Sequence, residues 1–173
     1  MKLITLLIAS FFIGGCSTSA KKPAVGAPAP LFETKTHEGS SFNLQDRKGK
    51  WTILYFYPKA ETPGCTKQAC AFRDSIKQVR ALNADVFGVS ADSVEAVAKF
   101  HKKENLNFTL LSDPELKVIE AYGAKGTVLP LAKRWTYVID PQLVIRHVDE
   151  DVDPTLDAER TANVIKGLQA KAP

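Results

Sequence analysis

Two cysteines five residues apart follow the junction of an apolar run and an amphipathic segment, and the first is placed to act as a nucleophile. The apolar run, residues 52–57, is typical of a buried strand, and a proline-rich loop follows it. Beyond Pro63, apolar side chains recur at helical spacing, which places Cys65 at the start of a helix. Free backbone N–H groups and the positive end of the helix dipole favour an anion there. The pattern therefore predicts a reactive thiolate at Cys65.

A thiolate at this position needs a cation as well as the helix N-terminus. A free cysteine titrates near ~8.5, and lowering that value by two units takes about 2.7 kcal/mol. A helix N-terminus supplies about 0.3–1 kcal/mol, or up to ~2 in a partly buried site. Arg134 is the candidate cation, because it begins a later strand whose end can reach the same edge of a sheet. Lys133 is the competing candidate, and a solvated surface charge is the alternative.

The residues around Cys65 resemble the active-site signature of the peroxiredoxins. Pro58, Thr62 and Cys65 have that family's Pro-x-x-x-Thr-x-x-Cys spacing. The longer run 56–74 resembles the bacterioferritin comigratory protein (Q-type) subfamily, which has a second cysteine five residues after the first. Two further segments match in the right order, Gly26-x-x-Ala29-Pro30-x-Phe32 and Arg134-Trp135-Thr136-Tyr137-Val138-Ile139-Asp140. The resemblance covers roughly residues 25–170.

The resemblance implies a thiol peroxidase that reduces hydrogen peroxide and organic hydroperoxides. The Cys65 thiolate would attack the O–O bond and become a sulfenic acid. Thr62 would hold the peroxide through its hydroxyl, and Pro58 would shield the thiolate from water. Arg134, rather than Lys133, would be the active-site cation. Without the motif, the same residues would be an inert buried cysteine, a capping threonine and a strand-ending proline.

Cys70 would be the resolving thiol in such an enzyme. Five residues of α-helix separate two Cα atoms by about 7.5–9 Å, whereas a disulfide needs them within about 7 Å. If both cysteines are helical when reduced, the first turns must unwind before a Cys65–Cys70 disulfide forms. An external dithiol, such as a thioredoxin-like protein, would then reduce that bond. A small packed residue is the alternative interpretation of Cys70.

The first fifteen residues are typical of a secretory signal peptide, with a lysine followed by a short apolar run. Residues 13–16 resemble the lipobox of bacterial lipoproteins, in which the peptide is cut before a cysteine that is then lipidated. The resemblance implies a lipid on Cys16 and anchoring on the periplasmic side, and Ser17 favours the outer membrane. Residues 16–25 would be a flexible tether and 26–171 the peroxiredoxin domain. An ordinary signal peptide with an incidental Cys16 thiol is the alternative.

Other function classes fit the sequence less well. The net charge is +4 with scattered basic residues, which argues against nucleic-acid binding. The three histidines match no metal-ligand spacing, and no calcium or phosphate loop is present, so we expect no cofactor. A thiol–disulfide oxidoreductase typically has Cys-x-x-Cys, whereas four residues separate these cysteines. A non-catalytic lipoprotein with a structural disulfide also remains open. We expect a monomer.

Strands alternate with helices along the chain, and a hairpin and a final helix follow. The predicted strands cover residues 52–57, 85–90, 108–111, 135–139 and 143–148, after a hairpin or extended arm at 31–44. The predicted helices run from Pro63 to about Leu82, from Ser93 through Phe100, from residues 112–114 through Tyr122, and from 153–155 through Leu168. This order predicts an α/β fold with a central mixed β-sheet flanked by helices. The resemblance makes it a thioredoxin-like fold.

Overall fold

The structure, a computed structural model, describes residues 22–171. The predicted signal peptide and Cys16, the predicted lipidation site, lie outside the described residues. Lys22, near the end of the predicted tether, lies against the domain: its Nζ is 5.5 Å from the centroid of the Trp135 ring and pairs with Glu150. Within the described part of the chain, none of the helices is long and apolar enough to cross a bilayer.

Seven strands and four helices make up the described chain. The strands are β1 (Glu33–Thr36), β2 (Ser41–Asn43), β3 (Trp51–Phe56), β4 (Ala84–Ser90), β5 (Thr109–Ser112), β6 (Trp135–Ile139) and β7 (Ile145–Asp149). The helices are α1 (Pro63–Ala81), α2 (Val94–Lys103), α3 (Lys117–Ala121) and α4 (Asp157–Gln169), with a short 3-10 helix at Leu44–Arg47. Most of these elements match the predicted ones to within a few residues.

All seven strands form one mixed sheet in the order β2-β1-β5-β4-β3-β6-β7. β3 lies at its centre, parallel to β4 and antiparallel to β6. The antiparallel register places Phe56, at the end of β3, opposite Trp135, at the start of β6. The loop after β3 and the residue before β6 therefore meet at one edge of the sheet. The predicted α/β architecture is confirmed.

Two apolar cores cover the two faces of the sheet. On one face α1, α2 and α4 pack against side chains such as Tyr55 and Val86. On the other face, the N-terminal hairpin and α3 cover Phe56, Phe87 and Tyr137. Burial on both faces explains why β3 is a nearly continuous apolar run. The central strand is therefore fixed from both sides.

Helices α3 and α4 begin later than the sequence predicted. The helix does not start at Pro114, since Leu116 adopts a left-handed φ of 60° before α3, but the buried Asp113 carboxylate does cap α3, accepting from the Ile119 amide of its first turn at 2.8 Å. Asp153, in contrast, stabilises a turn, since its Oδ1 accepts from the Thr155 amide at 2.8 Å. Aspartate side chains stabilise such turns as readily as helix starts. One consequence is that α4 begins at Asp157, beside β6.

Replacing Gly88 by alanine should destabilise the fold, because the Tyr55 ring packs directly on this glycine. An added Cβ would lie 2.4 Å from the Tyr55 Cζ atom. We expect the free energy of unfolding to fall by about 1–3 kcal/mol. Thermal denaturation should show this as a fall in midpoint of roughly 2–4 °C per kcal/mol. Gly167→Ala is the matched control: it lies in α4 with no neighbour near the added Cβ, and should stabilise by about 0.4–1 kcal/mol. Equal midpoints for the two variants would contradict this packing.

Candidate active site

Cys65 lies in the first turn of α1, beyond the end of the central strand. Pro63 opens the helix, and the Cys65 side chain is only 1% exposed. The Nη2 atom of Arg134 donates a hydrogen bond to the Cys65 Sγ at 3.4 Å. The sulfur therefore combines a position at a helix N-terminus with contact to a guanidinium, and both features stabilise a thiolate.

Arg134 reaches the sulfur because the sheet places it beside the start of α1 and because Gly64 leaves space for its guanidinium. The residue immediately precedes β6, whose pairing with β3 brings it to the edge where α1 starts. A Cβ at Gly64 would lie 3.1 Å from the Arg134 Nη2, so any larger residue there would press on the guanidinium. Lys133 points elsewhere: its Nζ lies 4.7 Å from the centroid of the Trp135 ring. Of the two candidate cations, Arg134 is the one that contacts Cys65.

A chain of hydrogen bonds holds the Arg134 guanidinium from behind. Its Nη1 donates to Gln68 Oε1 at 2.6 Å, and Gln68 Nε2 donates to Asp157 Oδ2 at 2.7 Å. The hydroxyl groups of Thr136 and Thr161 donate to the same carboxylate at 2.8 and 3.1 Å. We call this set, Arg134–Gln68–Asp157, the arginine relay. It links the start of α4 to the sulfur-bound guanidinium.

The far end of the arginine relay is deeply buried. Asp157 is 1% exposed, and Gln68 is completely buried. Burial raises the pKa of the Asp157 carboxyl above its ordinary value, while the hydrogen bonds that it accepts partly offset this rise. Asp149, in β7, adds to it through charge repulsion. The three donors thus favour the ionised form of this carboxyl, and burial opposes it.

Thr62 and Pro58 lie on the loop between β3 and α1, both half-buried. Thr62 is the N-cap residue of α1, but its Oγ1 donates to the Lys59 carbonyl oxygen at 2.9 Å and makes no capping bond. The lone pairs of this hydroxyl remain able to accept a hydrogen bond. Contact of Thr62 with a peroxide, and shielding of the sulfur by Pro58, stay predictions.

The same loop is held against the neighbouring helix and strand. Glu61, with a left-handed φ of 62°, accepts from Lys99 and Lys103 of α2 at 3.0 and 3.1 Å. The amide of Ala60 donates to the Asp92 carboxylate at 2.8 Å. Because these contacts come from α2 and the loop that precedes it, the start of α1 is fixed by elements outside its own helix.

Cys70 also lies in α1, so both cysteines are helical, and both thiols are free. The Cys70 Sγ donates to Glu104 Oε2 at 3.8 Å, and Arg73 Nη1 donates to the Glu104 backbone carbonyl at 2.7 Å. Burial raises the pKa of the Cys70 thiol; Arg73 partly offsets this rise, and Glu104 adds to it. Cys70 is thus kept as a neutral thiol, about 140° round the helix axis from Cys65.

Three residues of this site were not found from the sequence: Gln68, Asp157 and Glu104. Gln68 had a usable signal, because it follows Cys65 by three positions and so shares its helix face. The other two had none. Asp157 lies 89 positions from its partner Gln68, and Glu104 lies 34 positions from Cys70. Only the folded chain brings them together.

Comparison with known proteins places this site in a family. Residues 25–148 match the AhpC/TSA family. A putative peroxiredoxin bcp of Coxiella burnetii is 47% identical over 130 residues, covering 72% of this chain and 86% of that protein. The peroxiredoxin Bcp of Escherichia coli K12 is 41% identical over 132 residues, covering 73% and 85% respectively.

The solved structures show the same fold. The crystal structure of the peroxidoxin BcpB of Mycobacterium tuberculosis superposes with a TM-score of 0.79 at 31% sequence identity. The superposition covers 84% of this chain and 98% of that one. The predicted thioredoxin-like fold is therefore confirmed.

Replacing Glu104 by glutamine should make the Cys70 thiol more reactive. The carboxylate helps to raise the pKa of Cys70, so its removal lowers that pKa and increases the thiolate fraction near neutral pH. We expect alkylation of Cys70 to become severalfold faster just above neutrality, measured by peptide mass spectrometry of the reduced protein. Glu95→Gln, which removes a charge at the other end of α2, should leave the rate unchanged. A slower rate in Glu104→Gln would contradict the assignment.

Proposed function

Since this chain belongs to the AhpC/TSA family and is a peroxiredoxin of the Bcp/Q type, we propose that its thiol peroxidase reaction uses Cys65 as the peroxidatic and Cys70 as the resolving cysteine. The observation that carries the proposal is the 3.4 Å contact between Arg134 Nη2 and the Cys65 Sγ at the start of α1. Hydrogen peroxide and organic hydroperoxides are the proposed substrates. The depth of the sulfur favours small or slender ones.

In the first step the Cys65 thiolate attacks one oxygen of the peroxide. The S–O bond forms as the O–O bond breaks, which leaves a sulfenic acid on Cys65. The departing oxygen takes up a proton and leaves as water or an alcohol. Negative charge moves from the sulfur to that oxygen, and Arg134 lies where it can stabilise both. Thr62 holds the peroxide, and Pro58 keeps bulk water from the sulfur.

In the second step the Cys70 thiol attacks the sulfenic sulfur. The S–S bond forms, and the sulfenic oxygen leaves as water with the thiol proton. Both cysteines lie in α1, where their Cα atoms are about 7.5–9 Å apart, so the start of the helix has to unwind first. This motion breaks the hydrogen bond between Cys70 and Glu104.

In the third step an external dithiol, such as a thioredoxin-like protein, reduces the disulfide and becomes a disulfide itself. The second thiol of the reductant releases the mixed disulfide, so electrons balance without a bound cofactor. We infer that one chain completes the cycle as a monomer, because both proposed cysteines lie on the same helix.

Serine variants of the two cysteines should separate the proposed steps. Cys65→Ser should lower the rate of peroxide consumption by at least ~10³-fold, because it removes the nucleophile. Cys70→Ser should consume one equivalent and retain a sulfenic acid that dimedone traps. The native protein should form a Cys65–Cys70 disulfide and turn over when a dithiol is supplied, measured by peptide mass spectrometry and peroxide loss. Full activity of Cys65→Ser, or a sulfinic Cys65 beside an untouched Cys70 in the native protein, would refute the scheme.

We also propose that the chain is a lipoprotein, on the basis of its first seventeen residues alone. Residues 1–15 would be removed and Cys16 lipidated, which would hold the domain on the periplasmic side of the outer membrane. More than one acyl chain gives stable anchoring, where a single chain binds only marginally.

Replacing Cys16 by serine should release the protein from the membrane, because it removes the lipidated thiol. Cell fractionation should find the variant in the soluble periplasmic fraction, and the N-terminal peptide should lack the acyl mass. Ser17→Asp is the control: it keeps the lipid and should change only which membrane holds the protein. The peroxidase rate of the purified Cys16→Ser protein should equal that of the native one. A membrane-bound Cys16→Ser protein would contradict the anchor.

A further inference from the structure

We propose that Asp157 is a positioning residue for the peroxidase reaction, acting through Gln68 on Arg134. Its carboxylate fixes which end of the Gln68 amide faces the guanidinium, and this orientation aims Arg134 at the Cys65 sulfur. The inference rests on the proposed role of Cys65. It is carried by the bonds from Arg134 to Gln68, at 2.6 Å, and from Gln68 to Asp157, at 2.7 Å.

The orientation of Gln68 follows from what its two neighbours can do. A glutamine amide accepts at one end and donates at the other, and half a turn of the side chain exchanges the ends. Arginine only donates, so Gln68 has to offer its oxygen to Arg134. The Oδ2 atom of Asp157 accepts from both Gln68 and the Thr136 hydroxyl, so Asp157 selects the nitrogen end. Both neighbours therefore require the same orientation, and the loss of the carboxylate would leave the amide held at one end only, by Arg134.

This arrangement leaves the charge of Arg134 available to the sulfur. Among the ion pairs found within residues 22–171, none involves Arg134. A carboxylate bound directly to the guanidinium would compete with the Cys65 thiolate for it. The neutral Gln68 amide keeps the buried carboxylate of Asp157 one residue away while still fixing the arginine.

Asp157 is arranged to hold an amide rather than to cap its helix. Although it is the first residue of α4, its carboxylate accepts only side-chain donors among the described residues, from Gln68, Thr136 and Thr161. Oδ2 receives two of these bonds and Oδ1 the third. A carboxylate held in this way on β6 and α4 presents a fixed acceptor to α1.

A double-mutant cycle tests whether Asp157 acts through Gln68. Asp157→Leu removes the acceptor, and Gln68→Met removes the amide. We expect each to lower the second-order rate constant with hydrogen peroxide by about tenfold, the scale of one hydrogen bond to a charged group. The rate constant of the double variant should also fall about tenfold rather than a hundredfold, because either substitution alone already breaks the Asp157–Gln68 hydrogen bond. Losses that multiply, or an unchanged rate in Asp157→Leu, would overturn the proposal.

Two further variants separate positioning from a general effect on structure or charge. Asp157→Asn keeps an accepting oxygen at similar volume and should retain the rate to within about threefold. Asp151→Asn removes an exposed acidic residue from the segment before α4 and should leave the rate unchanged. If the rates instead follow the thermal midpoints of the variants, or if Asp151→Asn matches Asp157→Leu, the positioning role is wrong.

A second readout keeps this test independent of the proposed function. The Cys65 thiolate absorbs in the ultraviolet, and subtracting the spectrum of the matching Cys65→Ser protein isolates its contribution. Asp157→Leu should reduce the thiolate signal at neutral pH, and it should have no further effect in the Gln68→Met background. A native protein that consumes no peroxide but shows this pattern would refute the peroxidase scheme and support the relay. If the native protein turns over peroxide but Asp157→Leu leaves the thiolate signal unaltered, the peroxidase scheme is supported and the relay is refuted.

Discussion

The contact between the Arg134 guanidinium and the Cys65 sulfur is the interaction on which the rest of the site depends. A guanidinium cannot lose its charge at working pH, and a partly buried cation is costly unless its environment compensates it. The thiolate would provide compensation, but oxidation to a sulfenic acid would remove that negative charge. Gln68 contacts the cation directly, and Asp157 in turn holds Gln68, so neither contact depends on the charge of the sulfur. The arginine relay thus holds Arg134 in place while α1 is intact, and it has to open when the proposed disulfide forms, because Gln68 lies between the two cysteines.

The topology of the sheet makes this contact possible. Helix α1 starts at the edge of the sheet where the central strand β3 ends. The antiparallel neighbour β6 starts at that same edge. A parallel neighbour in place of β6 would end there instead of starting, and its first residue would lie at the far side of the sheet. The mixed sheet therefore brings Arg134 to Cys65 across 69 positions of sequence.

Hydrophobic periodicity and turn residues were enough to predict the strands, the long helices and the position of Cys65 at a helix start. They failed at the starts of α3 and α4: Asp113 caps α3 from four positions before its first residue, and Asp153 stabilises a turn, so both helices start late. The residues that bind Arg134 and Cys70, namely Gln68, Asp157 and Glu104, were not predicted for a different reason. A buried carboxylate such as Asp157 is recognisable only through its donors, and those come from α1, β6 and α4.

Helix α1 must be rigid at its first turn to stabilise an anion, and yet the proposed disulfide requires that turn to open. The contacts along the helix differ in a way that reconciles these demands. From Cys65 to Cys70 the buried apolar side chains are small, Cys65 and Ala69, and the other contacts are polar, such as the long bond from Cys70 to Glu104. Phe72 is completely buried, with its ring 5.0 Å from that of Tyr55, and its exposure would cost about 1.5–3 kcal/mol. Unwinding that stops before Phe72 breaks hydrogen bonds that water can replace and leaves this part of the apolar core intact. We therefore expect the proposed unwinding to end between Cys70 and Phe72.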